Sequence, residues 1–258
     1  MDIDSARIGA WVGQFFWPFL RLSAFLVAAP VFGARSVPVR VRITLGVVLT
    51  AVLLPTLPPV PTLDVLSPLG LMTALQQVGI GLVSGFLLQL FLAALTFAGE
   101  MVSLGMGLGF ASLVDPQNGV NVPLLGQLYV MLAVLLMLAT DGHLLLLELL
   151  ARSFTTVPVG PVGLRFDDFR AVAGFATDIF ALGLLVALPA VTVLLVVNLA
   201  FAVVSRAAPQ LNLFAIGFPV SLLMGLLIVL LTLPTLPGQW DGIFGQATQR
   251  LSALLGGR

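Results

Sequence analysis

Long runs without a single Asp, Glu, Lys or Arg constrain this chain more than any other feature. Residues 65–99, 179–205 and 207–236 are such runs. A helix needs about 20 apolar residues to cross the hydrocarbon core of a bilayer, and each run exceeds that length. The rest of the chain offers no compensating polar surface. Only 9% of the 258 residues are charged, where a soluble domain carries about 25%. Hydrophobic residues make up 59% and mean hydropathy is +1.15. The natural solvent of such a chain is lipid, or partner subunits of similar composition. The expected fold class is an all-α membrane protein.

Further apolar stretches join the uncharged runs. Residues 8–33 are apolar apart from Arg21, 43–63 carry no charge, and 120–140 continue into LLLLELL at 144–150. The reading is about six long hydrophobic helices, several bent or hairpinned, with an amphipathic tail at 240–255. Breakers support the boundaries. PTLPPVP at 55–61 cannot lie inside a helix, VDPQNG at 114–119 is a turn signal, and TTVPVGPVG at 155–163 reads as a rigid extended connection. APQLN at 208–212 separates the final pair, and LPTLPG at 233–238 ends the last long helix.

Charge distribution does not fit a simple carrier. Placing Arg35, Arg40 and Arg42 in the cytoplasm, as the positive-inside rule asks, leaves Arg206 inside after six simple crossings. Arg152, Arg165, Arg170, Arg250 and Arg258 then fall outside, so no bias remains. Either these crossings are misplaced or some apolar helices do not cross lipid, and the misfit counts against a plain six-span carrier. Zero formal net charge gives no electrostatic case for nucleic acid. The absence of cysteine excludes disulfides, thiolate metal sites and cysteine nucleophiles. The segment MDIDSARIGAWVG is acidic before it is basic and reads as no cleavable leader.

Small residues recur four apart at Gly9 and Gly13, Gly81 and Gly85, Gly105 and Gly109, and Ser221 and Gly225. Such spacing lets helix backbones approach closely where lipid supplies no hydrophobic drive, and GIGLVSG at 79–85 is read as a packing seam. The most unusual stretch is EMVSLGMGLGFASLVDPQNG at 100–119. Its glycines, Gly105, Gly107 and Gly109, do not match a dinucleotide-binding spacing, and glycine is unfavourable within a helix. They argue for a bent or irregular segment, which a membrane tolerates only where it is buried in protein or lines a cavity. With the deformable Met101 and Met106, two readings stand: a hydrophobic, flexible constriction, or an ordinary tight helix crossing.

Ionisable residues within apolar segments are candidates for chemistry. Asp141 and His143 in ATDGHLLLLELL could belong to a proton relay, but Asp141 sits where a helix cap is wanted. His143 is the only histidine, so a histidine-rich metal site is impossible. Asp167 and Asp168 suit the first turn of a helix, where they meet the positive end of its dipole. Asn198 is placed to hydrogen-bond a neighbouring helix, and Arg206 to end its own. No catalytic, cofactor-binding or metal-binding constellation emerges, and the chain is not expected to be an enzyme. A transporter with a polar midplane site remains an alternative, with Gln76, Gln77, Gln89 and Glu100 as its only material.

Three ordered motifs carry a family resemblance. GFASLVDPQNG at 109–119 is followed by DGHLLLLELLARSFTTVPVG at 141–160, and then by NLAFAVVSRAAPQLNLFAIGFPVSLLMG at 198–225. With FxRxSAFLxxAPVFG near 19–33, they resemble the FliR family of type III secretion export-gate subunits over nearly the whole chain, the flagellar branch above all. Asp141 departs from the Asn that many members carry.

The resemblance implies a core subunit of the flagellar export gate in the bacterial inner membrane and basal body. It implies assembly with FliP and FliQ, work with FlhB and FlhA, contact with inner-membrane lipid, passage of unfolded flagellar proteins, and no cofactor. It also implies a FliP-like part over 1–170 followed by a FliQ-like hairpin and tail over 171–258. Within the first part, 105–118 would form a plug. Met106, Leu108, Phe110, Leu113 and Val114 would seal the closed pore, and Gly105, Gly107 and Gly109 would act as hinges. A structural nucleator that never touches substrate is the remaining alternative.

Overall fold

A computed structural model describes residues 5–34, 36–61, 63–65, 67–108, 124–207 and 213–256. Among them the secondary structure is helical. The helices are α1 (Ser5–Ala28), α2 (Val39–Leu53), α3 (Pro68–Gly105), α4 (Leu124–Ala139), α5 (Gly142–Thr156), α6 (Phe166–Ala207), α7 (Leu213–Thr232) and α8 (Leu236–Gly256). Short 3-10 turns at Leu54–Thr56 and Leu233–Thr235 carry Pro55 and Pro234 at their starts. That is where a residue lacking an N–H does least harm.

By length and composition, α2 with its 3-10 turn, α3, α6 and the stretch 217–256 could each cross a membrane. A fifth crossing is available if α4 and α5, bent by 72° at Thr140–Asp141, count as one span. The chain is therefore an all-α membrane protein. Two helices are longer than expected: α3 is one continuous helix of 38 residues, and α6 begins at Phe166 and runs for 42. At 1.5 Å per residue they reach about 57 and 63 Å, roughly twice the hydrocarbon thickness. The uncharged run begins only at residue 179, and FDDFR, with Asp167 and Asp168 expected in the first turn of a helix, lies before it. In the structure that turn is the first turn of the helix. Asp168 Oδ2 reaches back to accept the Arg165 N–H at 2.7 Å, half of a capping box.

Asp141 occupies the N-cap position of α5, but its side chain makes no capping bond. It adopts a left-handed conformation, φ 54°, which Asn and Asp tolerate better than other residues with a Cβ. Its backbone carbonyl, not its carboxylate, accepts the N–H groups of Leu144 and Leu145. The expected side-chain cap is thus replaced by a backbone turn.

The chain forms two compact units. The first comprises residues 1–90, 137–176 and 245–258. Its centre is Arg21, which is fully buried. The guanidinium donates to Gln77 Oε1 at 2.8 Å, to Ser153 O and Oγ at 3.0 Å each, and to Val157 O at 2.8 Å. It also lies 4.1 Å above the Phe154 ring. One side chain of α1 thereby ties together α3, α5 and the connection after α5. Beside it, Trp17, Phe154 and Val159 form an apolar cluster against Leu57, Val60 and Val65. The glycine seam read from the sequence is real. A Cβ on Gly81 would meet the backbone of Arg21 and Phe25, and one on Gly85 that of Ala28 and Ala29. By contrast, Gly13 faces only Trp17 of its own helix.

The second unit comprises residues 91–136 and 177–244. A Cβ on Gly99 would enter the backbone of Leu125 and Gly126, so α3 and α4 touch main chain to main chain. Gly183 of α6 has the Ala94 carbonyl 2.6 Å and the Phe97 ring 2.7 Å from where its Cβ would be. Phe97 and Phe180 pack edge to face at 5.3 Å.

Candidate functional site

The glycine-rich stretch divides at the edge of the described residues. Phe110, Leu113, Val114 and Gly109 lie outside them, as do VDPQNG and APQLN. Gly105, Met106, Gly107 and Leu108 lie within and show how α3 ends.

Helix α3 stops by a Schellman motif. The Leu108 N–H bonds to Ser103 O and the Gly107 N–H to Leu104 O, both at 3.0 Å. Gly107 takes φ 81°. This pattern wants a left-handed residue just past the helix, and glycine adopts that conformation without a Cβ clash. Gly107 is therefore required by the turn itself. Gly105 is the last residue of α3 rather than part of an irregular segment. Its absent Cβ leaves room for the Leu194 side chain, 3.1 Å away at Cδ1.

Every helix leaves its last carbonyls without partners of its own. Gly105 O is one of these, and a side chain from α6 satisfies it: Asn198 Nδ2 donates at 3.0 Å. Asn198 Oδ1 in turn accepts the Ser221 hydroxyl of α7 at 2.9 Å. Met106 turns inward and is buried, its Cγ, Sδ and Cε filling the place where a side chain on Gly225 would stand. Leu108 is half-buried. The structure thus brings Gly105, Met106, Asn198, Ser221 and Gly225 together at the end of α3.

Sequence reading recognised these residues separately. Asn198 was read as a bond to some neighbouring helix, and Ser221 with Gly225 as a small-residue pair. Their common target was missed because spacing along one helix does not say which helix it faces. The close approach at Gly99 was missed too, since its partner lies on another helix.

The remaining candidates are placed as follows. Among the described residues His143 Nδ1 is buried without a hydrogen-bond partner, and Asp141 is exposed. Glu148 pairs with Arg152, 2.7 Å away on the exposed face of α5. Gln77 is taken up by Arg21, and Gln76 Oε1 accepts the Leu164 N–H at 2.8 Å. Gln89 and Glu100 are exposed. Both glutamines nearest a would-be polar site are thus engaged in holding the fold.

Comparison with known proteins gives one consistent answer. Residues 12–247 match the family described as bacterial export proteins, family 1. The flagellar biosynthetic protein FliR of Pectobacterium carotovorum is 41% identical, covering 95% of this chain and 94% of its own length. FliR of Escherichia coli K12 is 38% identical, covering 99% and 97%. FliR of Bacillus subtilis is 31% identical, covering 92% of each. This chain belongs to the bacterial export proteins, family 1, and within it to the flagellar FliR proteins.

Proposed function

We propose that this chain is a core subunit of the flagellar type III export gate, and that the segment following α3 closes its pore. Family membership makes it a flagellar export protein of the membrane. The finer reading adds its neighbours. FliP- and FliQ-like subunits complete a channel for unfolded flagellar proteins in the inner membrane at the base of the flagellum, working with FlhB and FlhA. The division into a FliP-like part over 1–170 and a FliQ-like part over 171–258 belongs to the same reading, and no catalytic step is assigned.

The observation that carries this reading is the way α3 ends. A long apolar helix stops in a glycine turn whose last carbonyl accepts Asn198 of α6, itself bonded by Ser221 of α7, immediately before GFASLVDPQNG. In this reading Leu108, Phe110, Leu113 and Val114, with Met106 at the root, would exclude water and ions by dewetting. A second observation supports assembly. Outward-facing Leu, Val and Ile side chains run along α2 and α6, among them Val39, Val41, Ile43, Leu185, Leu195 and Leu199. Surface of this extent is covered by lipid or by other subunits.

The test is removal of residues 106–114 in the assembled complex. Ion leakage through the membrane and impaired growth are expected while the complex still forms. Conductance at background in a fully assembled deletion complex rules out the closing segment.

A further inference from the structure

We propose that Asn198 is the positioning residue that holds the carboxyl end of α3 in its docked place, and that this bond sets how readily the pore opens. The proposal rests on the closing-segment reading above and adds what restrains that segment.

The hydrogen bonds at the end of α3 single out one carbonyl. Met106 N–H satisfies Val102 O, and the Schellman motif satisfies Ser103 O and Leu104 O. These bonds belong to the helix end itself and would travel with it. Gly105 O is different, because its donor, Asn198 Nδ2, belongs to α6. Its bond breaks if the end of α3 moves relative to α6.

Asn198 is also oriented for the task. The Ser221 hydroxyl donates to its Oδ1, which leaves the amide N–H₂ to face Gly105. Within the uncharged run 179–205, Asn198 is the only side-chain amide. The hydroxyls of Thr192 and Ser205 bond within α6, to Leu188 O and Ala202 O, while Asn198 reaches across to another helix. Next to it, the flexible thioether of Met106 fills the notch at Gly225. A neutral hydrogen bond from an exposed residue and one adaptable side chain in a notch make a restraint that can be released and re-formed.

The test uses the complete complex with its partner subunits, comparing the parent, Asn198→Asp, Asn198→Ala, Ser221→Ala and the 106–114 deletion. Conductance is normalised to assembled complex. Asn198→Asp keeps the shape but removes the N–H donor, so it and Asn198→Ala should raise closed-state leakage roughly tenfold. Ser221→Ala keeps the bond to Gly105 and should raise it less. Parental conductance in both Asn198 variants, with the deletion leaking, overturns the role of Asn198 and leaves the closing segment intact. Background conductance in the deletion removes the closing segment, and this proposal with it.

A second measurement holds if the Asn198 variants assemble poorly. The chain has no native cysteine, so Met106→Cys with Gly225→Cys can tether the end of α3 in its docked place. The tethered complex should stay closed even with Asn198→Ala, and should leak when the disulfide is reduced. Equal leakage before and after reduction overturns the proposal.

Discussion

Replacing Arg21 by Met should strip this chain from the membrane fraction, or leave it melting far below the parent. The substitution keeps an apolar stem and removes every donor. Gln77 Oε1 and Val157 O, which Arg21 serves, then become orphaned acceptors in a fully buried place, at about 1–3 kcal/mol each. The cation over the Phe154 ring is lost as well. Natural domains are stable by only about 5–15 kcal/mol, so the combined loss is a large fraction of the total. Arg21→Lys should fall between the two. It keeps the charge, but a compact ammonium cannot reproduce the planar fork that serves Gln77, Ser153 and Val157 together. Protein level in membranes and the melting midpoint in detergent give the answer. An Arg21→Met chain that accumulates and melts like the parent would show the buried cation to be dispensable.

Gly99→Val carries the other large effect. The new Cβ would collide with the backbone of Leu125 and Gly126, and backbone cannot rotate aside as a side chain can. Helices α3 and α4 must separate along that contact, at a cost toward the upper end of the ~1–3 kcal/mol typical of overpacking. Even Gly99→Ala should be harmful. Gly242→Ala is the matched control: it lies within α8 with nothing within 4 Å of its Cβ position. There alanine should gain up to about 1 kcal/mol of helix propensity. Thermal midpoints of Gly99→Ala and Gly242→Ala should therefore move in opposite directions. Equal shifts would mean that α3 and α4 do not pack through Gly99.

These residues also show where sequence reading succeeds and where it stops. The uncharged runs specified helices and membrane class because helix length and hydropathy are local properties. The seam at Gly81 and Gly85 was legible because its period lies along one helix. Arg21 stood out as a lone cation in an apolar stretch, yet its partners were not legible: Gln77, Ser153 and Val157 lie 56 to 136 residues away. Asp167 and Asp168 were legible as first-turn residues, but the length of α6 was not, since the uncharged run that marks its body begins only at residue 179. Asp141 holds the expected cap position but makes no side-chain cap, because an acidic residue before a helix suits both a side-chain cap and a left-handed turn. At the end of α3, Gly107 takes the irregular backbone expected of the alternating glycines, whereas Gly105 is still helical and Gly109 lies outside the described residues. Their different duties, Gly105 clearing Leu194 and Gly107 supplying a positive φ, depend on a neighbouring helix and on backbone geometry that spacing does not carry.

The measurement that bears most directly on the export-gate reading is the native mass of the complex purified after co-expression with FliP-like and FliQ-like proteins from the same source. The expected result is a defined hetero-oligomer containing one copy of this chain. A monomer or homo-oligomer with neither partner bound would contradict it, and would return the chain to the reading of a self-sufficient membrane transporter.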